Sequence, residues 1–262
     1  MLLVLSPAKS LDLSPPPRPV PATQPALMKD TESLMKTTRN LSQKKIQELM
    51  SLSPALAKLN YERFRSFELP FTDDNALPAA FTFDGEVYKG LEARTLSDAD
   101  LAWAQDHVAI LSGLYGLLRP LDRMQPYRLE MGTKLSTRRG PNLYRFWGDR
   151  ITDELRARLA DHEDSTLVNL ASQEYYKAVR PKRLPGGAVT CQFEDLKDGQ
   201  TRNVISFMAK HARGVMARWI IEQRVDRRGG LKDFAVDRYR FQPDLSTDDT
   251  LVFSRRFIPI GG

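Results

Sequence analysis

The side chains whose types and spacing could do chemistry are a lysine, three serines and two glutamates. Lys9 lies four residues beyond Leu5, the last apolar residue of the opening run. An amine there can hold a phosphate as a point charge or, once desolvated, attack a carbonyl as a nucleophile. No neighbouring residue identifies a base to activate it, and a surface lysine in a turn is the competing reading. Three short apolar runs end at serine: Leu2-Leu3-Val4-Leu5-Ser6, Val108-Ala109-Ile110-Leu111-Ser112 and Leu167-Val168-Asn169-Leu170-Ala171-Ser172. Continuous apolar runs of this length suit strands buried on both faces of a sheet. Laid parallel, their carboxyl ends would open onto one crevice, where open α/β sheets place their sites. Glu130 and Glu174 stand beside the segments near those ends, and Lys9, Glu130 and Glu174 are the candidate catalytic groups. A salt-bridge role is the alternative for both carboxylates.

Metal and thiol chemistry find less support. His107, His162 and His211 match no ligand spacing, and no cofactor motif is read. Cys191, the single cysteine, sits in Val189-Thr190-Cys191-Gln192-Phe193, a strand pattern, and reads as a packed residue instead of a redox sensor. One cysteine excludes an internal disulfide, which fits a reducing compartment.

A second set of residues points to phosphates. In Leu111-Ser112-Gly113-Leu114-Tyr115-Gly116-Leu117-Leu118-Arg119-Pro120 two glycines stand three apart, so backbone N–H groups could face an anion. The segment loosely resembles the hairpin of helix-hairpin-helix modules, whose glycines are usually two apart; Arg227-Arg228-Gly229-Gly230 is a second candidate. Between Arg119 and Arg150 the basic residues Arg119, Arg123, Arg128, Lys134, Arg138, Arg139, Arg145 and Arg150 face only Asp122, Glu130 and Asp149. Tyr115, Tyr127, Tyr144, Phe146 and Trp147 are interleaved, as on surfaces that grip a backbone and stack bases. The candidate nucleic-acid contacts are therefore Lys9, Ser112, Gly113, Leu114, Tyr115, Gly116, Arg119, Arg123, Arg128, Arg138, Arg139 and Arg145, with Lys210 and Arg213 from a helix further on.

The elements that must position these groups follow from pattern. Ser14–Pro21 holds five prolines in eight residues and reads as a stiff, extended connector. From about Pro25 to Phe67 the reading is helical, with Ser42 capping one helix and Ser53-Pro54 starting another. Ser97-Asp98-Ala99-Asp100 starts a further helix, although Val108–Leu111 reads as strand. Asp84-Gly85 and Asp198-Gly199 read as hairpin turns. From Asn203 to Arg224 the apolar residues Val204, Ile205, Met208, Ala212, Val215, Met216, Trp219 and Ile220 recur at three- and four-residue steps, the mark of one buried helical face. Arg202, Lys210, Arg213 and Arg224 fall on the opposite face.

The 262 residues suffice for one large domain, and 41% hydrophobic with 27% charged residues is ordinary globular composition. No run approaches the roughly 20 apolar residues of a membrane span, and the opening segment reads as a strand of the fold, not a signal peptide. A net charge of +6 favours anionic partners but says nothing of fold.

Ser6-Pro7-Ala8-Lys9-Ser10, the block Leu111–Asp122, Pro126-Tyr127-Arg128-Leu129-Glu130-Met131-Gly132, Phe146-Trp147-Gly148, Asn169–Tyr175 and Ala212-Arg213-Gly214 closely resemble the YaaA family of bacterial peroxide-stress proteins. The resemblance runs the length of the chain, with Ser10 where threonine is common. It implies a cytoplasmic protein that limits oxidative damage, associated with lower free iron during hydrogen peroxide stress. It further implies binding of duplex DNA through a positively charged cleft, a helix-hairpin-helix element and an unusual mixed fold.

The expectation is a single mixed α/β (α+β) domain over residues 1–262, built on a mixed sheet with surrounding helices. It is expected to be cytoplasmic and monomeric, without metal or cofactor, and to bind double-stranded DNA. The alternative is an enzyme acting on a nucleobase, nucleoside or damaged DNA, with Lys9 and the serine-terminated strand ends forming the site. Direct iron sequestration lacks the clustered ligands it needs.

Overall fold

Every residue of Leu2–Leu5 is buried, as a strand covered on both faces requires. The computed structural model describes residues 1–197 and 201–256. Its main sheet contains β1 (Leu2–Leu5), β2 (Val108–Ser112), β3 (Gly116–Leu118), β4 (Leu167–Asn169), β5 (Ala188–Lys197), β6 (Thr201–Asn203), β7 (Arg240–Phe241) and β8 (Thr250–Arg256). The spatial order is β7-β8-β5-β4-β1-β2-β3, with β6 also on β5. β8, β5, β4, β1 and β2 run parallel, whereas β3, β6 and β7 are antiparallel to their neighbours. The sheet is mixed, as expected.

The three serine-terminated runs become adjacent parallel strands. Leu3 stands opposite Val108 on one side and Val168 on the other, so β2, β1 and β4 end together.

Besides a single turn at Ala79–Thr82, the helices are α1 (Met28–Thr38), α2 (Gln43–Met50), α3 (Pro54–Ser66), α4 (Glu86–Leu91), α5 (Asp98–His107), α6 (Leu143–Trp147), α7 (Arg150–Leu159), α8 (Gln173–Tyr176) and α9 (Ser206–Glu222). Local chemistry fixes several starts. Ser42 Oγ accepts from the Lys45 N–H at 3.2 Å, Ser53 Oγ accepts from Leu56 at 3.4 Å, and Ser97 with Asp100 forms a capping box at α5. Residues 14–21 form no regular element, and Arg94 ties them down by donating to the Ser14 and Pro15 carbonyls. One hydrophobic cluster runs continuously through the strands and helices.

Three expectations are corrected. Asp84-Gly85 is not a hairpin: Phe83–Asp84 pairs with Ser10–Leu11, and Gly85 is the N-cap of α4. The chain turns into a helix because α4 has a packing partner in α9. Leu111–Pro120 is not a helix-hairpin-helix element either. α5 runs straight into β2, and residues 113–115 form the turn of the buried β2–β3 ribbon. Around the second candidate, Arg227–Gly230, α9 is followed by a short 3-10 helix, Arg228–Asp233. Finally, α9 begins at Ser206, so Val204 precedes the helix and is 57% exposed instead of buried. Ala212, Met216 and Ile220 do form the buried stripe. The Asp198-Gly199 turn lies outside the described residues; β5 and β6 on either side of it pair antiparallel.

Candidate functional site

Beyond β1 the chain turns through Pro7-Ala8-Lys9 and borders a cleft of about 590 Å³ at the carboxyl ends of the parallel strands. A concavity of this size at this end of an open sheet is where such folds bind ligands. The strand ends are knitted by their serines: the Ser172 N–H donates to Ser6 Oγ at 2.8 Å, and Ser6 Oγ donates to Ser172 Oγ at 3.2 Å. Both line the cleft. Ser112 does not. It is fully buried, accepts the Tyr115 N–H at 2.9 Å and shares a 2.6 Å hydrogen bond with the Tyr127 hydroxyl, holding the turn after β2 from beneath.

Lys9, Glu130 and Glu174, far apart in sequence, meet in this cleft. Lys9 Nζ lies 2.9 Å from Glu130 Oε2, and Arg128 Nη2 donates to Glu130 Oε1 at 3.2 Å. The Glu130 side chain is 23% exposed and Arg128 18%, against 63% for Lys9. The carboxylate is thus a sheltered bridge between two cations, with the lysine at its open side. The loop carrying Glu130 reaches this place because Gly113 has no side chain: a β-carbon there would collide with the Leu129 carbonyl oxygen. Gly113 therefore acts as a seat for that loop, not as an anion-binding amide. Glu174 Oε1 accepts the Gly132 N–H at 2.9 Å, and the Tyr144 hydroxyl donates to the Glu174 carbonyl at 2.9 Å. Tyr88 donates to the Ser6 carbonyl at 3.0 Å. Burial, then the neighbouring phenols, holds Tyr88 well above the usual range; burial, with Tyr127 and the two glutamates, does the same for Tyr175. Both remain protonated.

A further wall comes from two packed helices. α4 supplies Glu86, Val87 and Tyr88; α9 supplies Lys210 and Arg213. Their axes approach closely because glycines meet. A β-carbon on Gly214 would strike the Val87 carbonyl, and one on Gly90 the His211 carbonyl. Sequence periodicity set Lys210 and Arg213 on the outward face of the helix; the fold turns that face into the cleft. Sequence reasoning missed Tyr88, Asp84 and Glu86, because the short α4 carries no periodic pattern and is held by packing alone.

The remaining candidates go elsewhere. Gly113, Leu114, Tyr115 and Gly116 are buried and cannot touch a duplex on the surface. Arg119 lines a separate depression with Gln24, Asp122, Glu154 and Arg158. Arg123 is bound to Asp73, Arg139 and Arg150 to Asp30. Arg138 and Arg145 are exposed and, among the described residues, have no acidic partner. The cleft lining holds three basic side chains, Lys9, Lys210 and Arg213, and four acidic ones, Asp84, Glu86, Glu130 and Glu174. The expected single electropositive trough is thereby corrected to a mixed polar pocket.

Among the described residues no three His, Cys, Asp or Glu side chains gather as a metal site. His107 and His162 do meet, ring against ring edge with centroids 4.7 Å apart. Cys191 is 1% exposed and burial pushes its thiol up to about 12, so almost no thiolate exists at neutral pH. Native protein should leave a thiol reagent unreacted over the time in which denatured protein is fully labelled. Rapid labelling, or sulfenate formation on adding hydrogen peroxide to native protein, would refute the buried assignment.

Among the described residues no helix is long and apolar enough to cross a membrane. A UPF0246 protein of Phenylobacterium zucineum is 52% identical over 255 residues, covering 97% of this chain and 95% of its own. UPF0246 proteins of Burkholderia mallei and Burkholderia pseudomallei are 52% identical over 258 residues, covering 98% of this chain and 99% of theirs. The family described as peroxide stress protein YaaA matches residues 1–245. With that match over nearly its whole length and relatives 52% identical across the chain, the chain belongs to the peroxide stress protein YaaA family.

Proposed function

We propose that this protein serves the peroxide-stress response by binding DNA along a basic flank and receiving one nucleotide unit in the cleft, where Lys9 and Glu130 act on it. The observation that carries this reading is the Lys9–Glu130–Arg128 ion chain in a cleft of about 590 Å³. That volume suits a nucleoside-sized ligand and is far too small for a duplex, so a base must leave the stack to enter, as base-flipping enzymes require. Ionised groups held this way in a strand-end pocket are the usual furniture of catalysis.

The basic flank borders the Glu174 wall. Lys177 Nζ stands 5.2 Å from the centre of the Tyr144 ring, whose hydroxyl reaches Glu174, and Arg145 follows on α6. Lys134, Arg138, Arg145, Lys177 and Lys182 are all exposed. Among the described residues none of them has a carboxylate within salt-bridge distance, which leaves their charge free for phosphates.

The chemistry suited to an abasic or otherwise damaged sugar is imine formation. Glu130 takes a proton from the Lys9 ammonium; the amine nitrogen adds to the sugar aldehyde carbon, and water leaves as the C=N bond forms. Borohydride then reduces that bond to a stable amine.

Duplex affinity measured between about 50 and 200 mM salt should fall by orders of magnitude. A combined R138A/R145A/K177A variant should lower the slope of log affinity against log salt by about three. Borohydride should trap the protein on abasic-site DNA through Lys9. Absence of binding at low salt removes the nucleic-acid reading; full binding with no trapped adduct removes the imine step alone.

A further inference from the structure

Four of the seven charged side chains lining the cleft have partners, and Asp84, Lys210 and Arg213 have none among the described residues. Lys9 and Arg128 share Glu130, Glu86 takes Lys89 at 2.9 Å, and Glu174 takes a backbone N–H. The two cations of α9 differ. Lys210 and Arg213 are three residues apart, hence neighbours on one helix face, and both line the cleft. Among the described residues neither has a carboxylate within salt-bridge distance, and Arg213 Nε is buried with no hydrogen-bond partner.

Other sheltered arginines are satisfied differently: Arg158, also without a carboxylate among the described residues, donates to the backbone carbonyls of Gln105, Asp106 and Val108. Arg255 holds Asp195 at 2.8 Å, and Arg123 holds Asp73 at 2.6 Å. Burial pushes the Arg213 guanidinium below its usual value, and the neighbouring Cys191 is held as a neutral thiol that does not balance the charge. A sheltered, unpaired guanidinium is costly. Here it is held in place, because the Gly214–Val87 approach fixes the helix beneath it.

We propose that Lys210 and Arg213 form an oxyanion anchor that grips the phosphate of the bound nucleotide unit, while its sugar or base meets Lys9 and Glu130. This rests on the reading of the cleft as a nucleotide pocket and names the group by which the ligand is recognised. A guanidinium is suited to it, since its planar fork bonds two phosphate oxygens at once and the ammonium adds a point charge. Charge-assisted hydrogen bonds of this kind favour the phosphorylated ligand over its neutral counterpart by about tenfold or more.

The test uses adenylate, adenosine and inorganic phosphate as probes on the full chain, with R213Q and K9A variants. Wild-type protein should bind adenylate about tenfold more tightly than adenosine, R213Q should lose that preference, and K9A should keep it. Inorganic phosphate should raise the melting temperature of the wild type and not of R213Q. In phosphate-free buffer R213Q should melt no lower than the wild type, because it sheds an uncompensated charge. A structural clamp behaves in the opposite way, so a lower melting temperature for R213Q overturns the anchor. So does phosphate stabilising both proteins equally or neither. If phosphate acts through Arg213 but neither nucleoside nor nucleotide binds, the anchor stands and the nucleotide reading of the cleft falls.

Discussion

Replacing Gly214 by alanine should destabilise the protein by about 3 kcal/mol, at the upper end of what overpacking costs. For a chain of this size that is a fall in Tm of roughly 6–12 °C, and Gly214→Val should be worse. A β-carbon at this position has nowhere to go, since the nearest atoms are the Val87 carbonyl group and the Leu91 nitrogen, all of them backbone. Backbone cannot swing aside as a side chain can, so α4 and α9 must separate. These helices form one wall of the cleft, and ligand binding should fall together with stability. Gly229→Ala is the control, because no atom lies within 4 Å of the added carbon and the change should be near neutral. Thermal melts of the two variants check the point; a Gly214→Ala protein as stable as the Gly229→Ala control would mean the helices are not in contact there.

The second large effect concerns Glu130. Removing its carboxylate in Glu130→Ala leaves Arg128, 18% exposed and with a buried unpartnered Nε, facing no acid. Stranding one member of a sheltered ion pair costs about 3 kcal/mol or more. Lys9→Ala should cost much less, about 0–1 kcal/mol, because Lys9 is 63% exposed and solvent screens its half of the bridge. Both variants should abolish trapping on abasic-site DNA. The asymmetry in stability, read from denaturant unfolding, separates a carboxylate that organises the pocket from an ordinary surface bridge. Equal and small costs for the two would show that Glu130 is not sheltered.

These expectations also mark where the sequence was legible. The caps at Ser42, Ser53 and Ser97 were readable because a cap is a bond between residues three apart. The three serine-terminated strands were readable because a strand covered on both faces is apolar throughout. Their parallel arrangement then put Lys9 and Glu174 at one end of the sheet. The YaaA-family block was legible as a block, and its glycines Gly113 and Gly116 are structural necessities, since a β-carbon at either would collide with its neighbours.

What those glycines do was not legible. Gly113 looked like an exposed phosphate-binding amide; it is a buried seat for Leu129, a contact across sixteen residues that no local pattern encodes. Asp84-Gly85 carried the composition of a hairpin and became a helix start, because α4 gained more by packing on α9, more than a hundred residues away, than by pairing with its neighbour. Charge was the least legible of all. Counting arginines between 119 and 150 suggested one basic stripe, yet Asp73 reaches in from a distant segment to pair with Arg123, and Asp30 is shared by Arg139 and Arg150.

By itself the sequence determined the three serine-terminated strands, the helix caps and the sheet class, since each depends on apolar patterning or on bonds within one turn. Only the tertiary structure decided that Lys9 pairs with Glu130, that Lys210 and Arg213 line a cavity, and that the pocket is mixed in charge. Those facts arise from close approach between segments far apart in the chain, and the strength of an ion pair depends on distance and burial, which composition does not carry.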